Sequence, residues 1–269
     1  MLKKSTTIPG IGDYCNEWCE RCTMIRFCSS HIAPPVEDPM IREEYNIAFW
    51  QKSNIPPANL EYILERVAQK QGKQIDALAA AERVHYDLTK KAENEYINNH
   101  PIKTMTIRYM RTGGTWLHFI EKYTGIYVGE ADYLNNKIIR APALIREEDA
   151  ETFFNLEIIE WHLYFIYSKA SRALNSYFEY DGWELANGMQ RGYDGSAKVA
   201  LLSIERSIYA WINLHNLVPG CEYGIFESVA ILYRLKKMLE DLSPDAMMYL
   251  RPGFDKPNPD GIPFKVTGL

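Results

Sequence analysis

Residues 146–178 read REEDAETFFNLEIIEWHLYFIYSKASRALNSYF. From Phe153 to Ala173 the apolar side chains leave almost no polar face, which predicts a helix buried all round at the centre of a helical core. The acids Glu147, Glu148 and Asp149 stand at its start, where the positive end of a helix favours them. The helix is predicted to stop near Phe178, before Asp181-Gly182, and burial is expected for Phe154, Ile158, Trp161, Phe165 and Ile204.

On either side of this stretch the same period recurs. Leu60, Ile63, Leu64 and Val67 step by three and four, and Ile75, Leu78, Ala79, Val84, Leu88 and Ala92 lie near one stripe, predicting helices over 59–70 and 75–99. His100-Pro101 stops the second, because a residue before proline leaves the α region. A third helix is expected over 102–123, with Gly113-Gly114 marking a break or a close contact. Tyr127-Val128 and Lys137-Ile138-Ile139 read as short strands or loop. Further helices are expected from a cap at Ser196 to Leu217, from Tyr223 to Leu242, and briefly after Ser243-Pro244-Asp245. No alternating strand pattern recurs. The fold class expected is all-α: a bundle of about five long helices, with extended arms at both ends.

The chain divides into an N-terminal Cys-rich arm (1–31), a single helical domain (32–250) and a proline-rich extended tail (251–269). Its 269 residues can bury one large core. A net charge of −5 without a basic block argues against a general nucleic-acid binder. No run of eighteen apolar residues appears, so no membrane span is expected. The beginning, MLKKSTTIP, lacks the apolar run of a secretory signal, so a cytoplasmic, reducing setting is expected.

The arm carries the chemistry. Cys15, Cys19, Cys22 and Cys28 stand in the stretch CNEWCERCTMIRFC, with His31 following and the fifth cysteine, Cys221, far away. Thiolates are soft ligands, and four so close together suit zinc or an iron–sulfur cluster. Disulfides are the competing use, disfavoured in a reducing compartment. The crowded middle pair, with no glycine after any cysteine, favours a four-iron cluster over zinc. Cys15, Cys19, Cys22 and Cys28 are therefore the expected ligands, with His31 in reserve and Cys221 outside the shell. A zinc ion held by the same four cysteines is the alternative.

The spacing Cys15-x-x-x-Cys19-x-x-Cys22 resembles the radical S-adenosylmethionine signature, although Arg21 stands where that family has an aromatic residue. Cys19-x-x-Cys22-x5-Cys28 is similar to the end of the iron–sulfur loop of endonuclease III-type DNA glycosylases. Ile8-Pro9-Gly10-Ile11-Gly12 resembles their helix–hairpin–helix turn, here upstream of the cysteines by only a few residues. These resemblances are confined to the arm and imply a four-iron centre, with no activity carried over. The crowded thiols also look like the structural zinc lobe of alcohol dehydrogenases.

Three roles follow: a redox or sensing protein that meets a protein partner, a structural metal that staples the arm, or an enzyme with a bundle pocket. For the last, Glu82-x-x-His85 has the spacing of ferritin-like dimetal sites, and Glu157, Glu160 and Glu205 are the candidate further carboxylates. Those sites need a second Glu-x-x-His, which is missing. Internal Glu–Arg or Glu–His pairs are the expected structural use of the charges in Glu160-Trp161-His162 and Glu205-Arg206.

Overall fold

A computed structural model describes residues 7–28, 46–51, 90–132, 137–139 and 145–255. Glu82, His85, His31 and the helix expected over 59–70 lie outside these residues. The structure is mostly helical. Its long helices are α1 (Lys90–Asn99), α2 (Pro101–Thr124), α3 (Ala150–Phe178), α5 (Gly192–Leu217) and α6 (Glu222–Leu242), with a single-turn α4 (Trp183–Ala186) between α3 and α5. The strands β1 (Glu130–Asp132) and β2 (Lys137–Ile139) form an antiparallel pair with Ala131 opposite Ile138. The strand-or-loop segment Lys137–Ile139 is thus a strand, and its partner is Glu130–Asp132 rather than Tyr127-Val128.

Helix α3 is the centre. It packs along α5 on one side and α2 on another, while α6 closes the bundle against α2 and α5. Trp161, Ile158, Phe165 and Ile204 are buried as predicted, whereas Phe154 is only half-buried and packs against Phe49. At about 25 cal/mol per Å² of apolar surface, such rings and branched chains supply most of the stabilisation.

The helix boundaries have local causes. The break at His100-Pro101 is where the sequence placed it: the His100 ring accepts from the Ile102 N–H at 3.2 Å, and Pro101 opens α2. Gly125, at φ 73°, ends α2 in the left-handed conformation. Gly113 lies inside an unbroken helix, and a Cβ there would stand 2.9 Å from Leu163 of α3, so its role is close approach.

Two expectations are corrected. Ser196 does not cap α5; the helix begins a turn earlier at Gly192, and Ser196 is buried within it. The first N–H of α5 is met instead from the single-turn helix just before it, since the Gly192 N–H donates to the Glu184 carboxylate at 2.9 Å. The segment after Leu250 is not extended at first. Residues 251–255 turn, with the Phe254 and Asp255 N–H groups both donating to the Arg251 carbonyl. Before it, the short helix expected after Asp245 is a 3-10 turn, Ala246–Met248.

Candidate metal centre

The arm has almost no regular structure of its own. Two 3-10 turns, Cys19–Arg21 and Ile25–Phe27, are each followed by a cysteine in extended conformation, Cys22 and Cys28. Between Cys15 and Cys19, Glu17 takes φ 57°, and the Trp18 N–H donates to the Asn16 side chain at 3.3 Å. This sharp reversal brings the first two cysteines round toward the others. A non-glycine residue in that region is uncommon and stores strain that the surroundings must offset.

The surroundings do so from the bundle side. Lys169 of α3, itself buried, is paired with Glu17. Arg21 makes a fork to Glu157 of α3 with contacts of 2.8 and 3.0 Å. Trp18 is fully buried and stacks on Trp161 of α3 at 5.2 Å between ring centroids. The Trp161 indole N–H donates to the Asn16 carbonyl at 3.1 Å, and the Trp50 N–H to the Arg21 carbonyl at 2.6 Å. Asn46 holds the Cys22 carbonyl at 2.9 Å, and Glu20 accepts from the Ile138 N–H of β2 at 3.1 Å. A second, small apolar cluster of Ile11, Met24 and Phe27 fills the arm itself.

Cys15, Cys19, Cys22 and Cys28 all line one small cavity of about 20 Å³, together with Trp18 and Phe254. All five cysteines are free thiols, so the disulfide alternative is not used. Cys221 sits in the bundle core at the start of α6 and is not part of the cavity wall. Two backbone N–H groups point at sulfur: Glu17 donates to Cys15 Sγ and Met24 to Cys22 Sγ, both at 3.3 Å. The Cys15 thiol in turn faces the Gly12 carbonyl at 3.4 Å.

Burial pushes the Cys15 thiol up to about 11 and raises Cys22 further, the N–H···S bonds working the other way. Cys15, Cys19 and Cys28 each push the Cys22 thiol further up, which places these three within electrostatic reach of Cys22. Without a bound cation Cys15 and Cys22 are therefore neutral thiols. Among the described residues, no group of three or more His, Cys, Asp or Glu side chains is set in an arrangement that could hold a metal ion.

The other carboxylates singled out in the sequence are dispersed. Glu157 is committed to Arg21, Glu160 accepts from the Ala131 N–H at 3.1 Å, and Glu205 faces Lys236 at 3.6 Å. His162 is buried, its Nδ1 2.7 Å from the Ile158 carbonyl, and burial pushes its pKa down to about 3. Of the internal Glu–Arg or Glu–His pairs expected, a Glu–Arg pair forms, and it joins Arg21 to Glu157 of α3. Sequence reasoning missed Lys169, Glu17 and Phe254. A lysine inside the most apolar helix was the one available signal, since buried lysines are almost always paired.

No helix among the described residues is long and apolar enough to cross a membrane. Comparisons with protein-family models, curated proteins and solved structures find no match to this chain.

Proposed function

We propose that Cys15, Cys19, Cys22 and Cys28 are the ligands of one metal centre, a four-iron iron–sulfur cluster, in a protein with a redox, sensing or structural role. The observation that carries this reading is that four thiols from a short arm face a single cavity while the fifth cysteine is buried elsewhere. What supports it is the chemistry of the donor set, although the described side chains are not set in a metal-holding arrangement. The donors are all soft, and the cavity wall between them is apolar, made by Trp18, Met24, Ile11 and Phe254.

The chain's own groups take defined parts. The Glu17 and Met24 N–H groups stabilise anionic sulfur on Cys15 and Cys22, and hydrogen bonds to sulfur are one of the levers that set a cluster's potential. Lys169 brings a cation near Cys15 that offsets part of the opposing effect of its partner, the Glu17 carboxylate. Trp18, held by stacking on Trp161, keeps bulk water from the inner side. A bound cluster would supply one-electron chemistry or a redox-sensitive fold, and a protein partner would be met on the arm's outer side. Zinc in the same four thiols is the second reading, a structural staple without redox chemistry.

The test is the optical spectrum of anaerobically purified protein with iron, sulfide and zinc assays. Broad brown absorbance that bleaches on reduction is expected. Colourless protein with one zinc supports the staple. Four intact thiols with neither metal overturn the proposal.

A further inference from the structure

Among the described residues, every side chain that lines the cysteine cavity but Phe254 comes from residues 11–28. Phe254 arrives from the far end of the described chain, on the turn 251–255. We infer that Phe254 is a stopper for this cavity, closing the outer side of the centre against water, oxidants and chelators, an inference that rests on the metal-centre reading above.

The turn that carries it is built to stay. Asp255 accepts from the Arg251 backbone N–H at 2.9 Å and from the Arg251 guanidinium at 3.0 Å, and Lys198 of α5 reaches the same carboxylate at 2.8 Å. Lys198 is buried and also donates to the Tyr249 carbonyl at 2.7 Å, so the latch is anchored in the helical core. The Arg251 guanidinium lies over the Phe254 ring at 5.1 Å, which fixes the ring's outer face. Gly253, at φ 78°, lets the backbone approach Ile11 so closely that a Cβ would stand 2.8 Å from it. The result is an aromatic ring pressed on the arm's apolar cluster from outside the arm.

An apolar wall of this kind sets solvent access to a metal site, and hence its lability and potential. Arm residues alone leave that side of the thiol cavity without its aromatic wall. The stopper thus ties the C-terminal turn to the fate of the centre: whatever displaces residues 251–255 exposes the thiols.

The experiment uses the full-length chain in two states. In metal-free, reduced protein, labelling by N-ethylmaleimide is followed cysteine by cysteine by mass spectrometry. Phe254→Ala should clearly speed labelling of the four arm cysteines, with Cys221 unchanged as internal control. Phe254→Leu, which keeps an apolar plug, should stay near the parent, and Asp255→Asn should move in the same direction as Phe254→Ala by freeing the turn. In metal-loaded protein, bathophenanthroline should extract iron faster from Phe254→Ala than from the parent. Arm cysteines labelling at the parental rate in both Phe254→Ala and Asp255→Asn, or Cys221 accelerating equally, would overturn the stopper. A parent that binds no metal fails the metal-centre reading instead, and the labelling result in the metal-free chain tells the two failures apart.

Discussion

The helical core and the cysteine arm hold themselves together by different means. In the core, α2, α3, α5 and α6 each bury a face against the others, and Trp161, Trp211 and Tyr109 are sealed among aliphatic chains. The arm has two 3-10 turns of a single turn each and a small cluster around Ile11, Met24 and Phe27. Turns that short do not persist alone, since a helical nucleus costs more than it returns. The arm's order comes from what it borrows: Trp18 inserted in the main core, Arg21 on Glu157, Lys169 on Glu17, and Phe254 from the other end of the chain. The lesson is that a substitution in the core should propagate outward to the arm, while one in the arm should stop at its anchors.

The sharpest break should come from Trp161, which belongs to both regions. Trp161→Ala empties a fully buried site and also removes the stacking partner of Trp18, so a loss of about 4 kcal/mol is expected. Urea unfolding should show it as a lowered midpoint. A loss confined to the arm, with the helical midpoint unchanged, would contradict the placement of α3 at the centre. Arg21→Met comes next. It takes the guanidinium away from the buried Glu157 carboxylate, at a cost of about 3 kcal/mol. Adding Glu157→Gln should recover part of that loss, a recovery that a purely steric role for Arg21 would not give.

What was legible in the sequence follows the same division. The apolar run of α3 announced itself because no polar face interrupts it, and the end of one helix at His100-Pro101 followed from backbone sterics alone. The clustering of four cysteines was equally plain, being local in sequence. The misreadings involve partners that no local pattern names, whether four residues away, as Asp255 is from Arg251, or 136, as Glu157 is from Arg21. Ser196 looks like a cap, but the start of α5 is set by Glu184. Arg251-Pro252-Gly253 reads as extended, but Lys198 and Asp255 close it into a turn. Glu157 stood among candidate metal carboxylates, and only the folded arrangement gives it Arg21. No periodicity encodes which acid a given arginine will meet.

A smaller effect is expected at the seam between the regions. Gly253→Ala would place a methyl group 2.8 Å from Ile11 at a backbone conformation that an L side chain rarely adopts. The cost should be about 1 kcal/mol. It should appear as faster proteolysis of the arm rather than as loss of helical signal by circular dichroism. Equal loss from both would mean that the 251–255 turn supports the core directly.

The smallest effect on the bundle should come from the change that alters the proposed centre most. Cys19→Ser with Cys22→Ser removes two of the four thiols that line the cavity, and with them any stable metal site. In sites of this kind the metal-binding free energy is largely folding free energy, about 10 kcal/mol or more in zinc-finger peptides. Here that energy would order the arm first, because the four helices bury most of their core among themselves, with Trp18 the arm's one entry into it among the buried residues of that cluster. Far-UV circular dichroism of the double variant should therefore remain strongly helical, while limited proteolysis should now cut it before residue 32, where the metal-loaded parent resists. Trp18 sharpens the outcome: it sits in the wall of the cavity and in the bundle core at once, so its fluorescence reports whether loosening stops at the arm. Global unfolding of the double variant would show that Trp18 carries the loss into the helices and that arm and bundle are one cooperative unit. No change in proteolysis would remove the structural metal and leave a solvent-facing redox role for the four thiols.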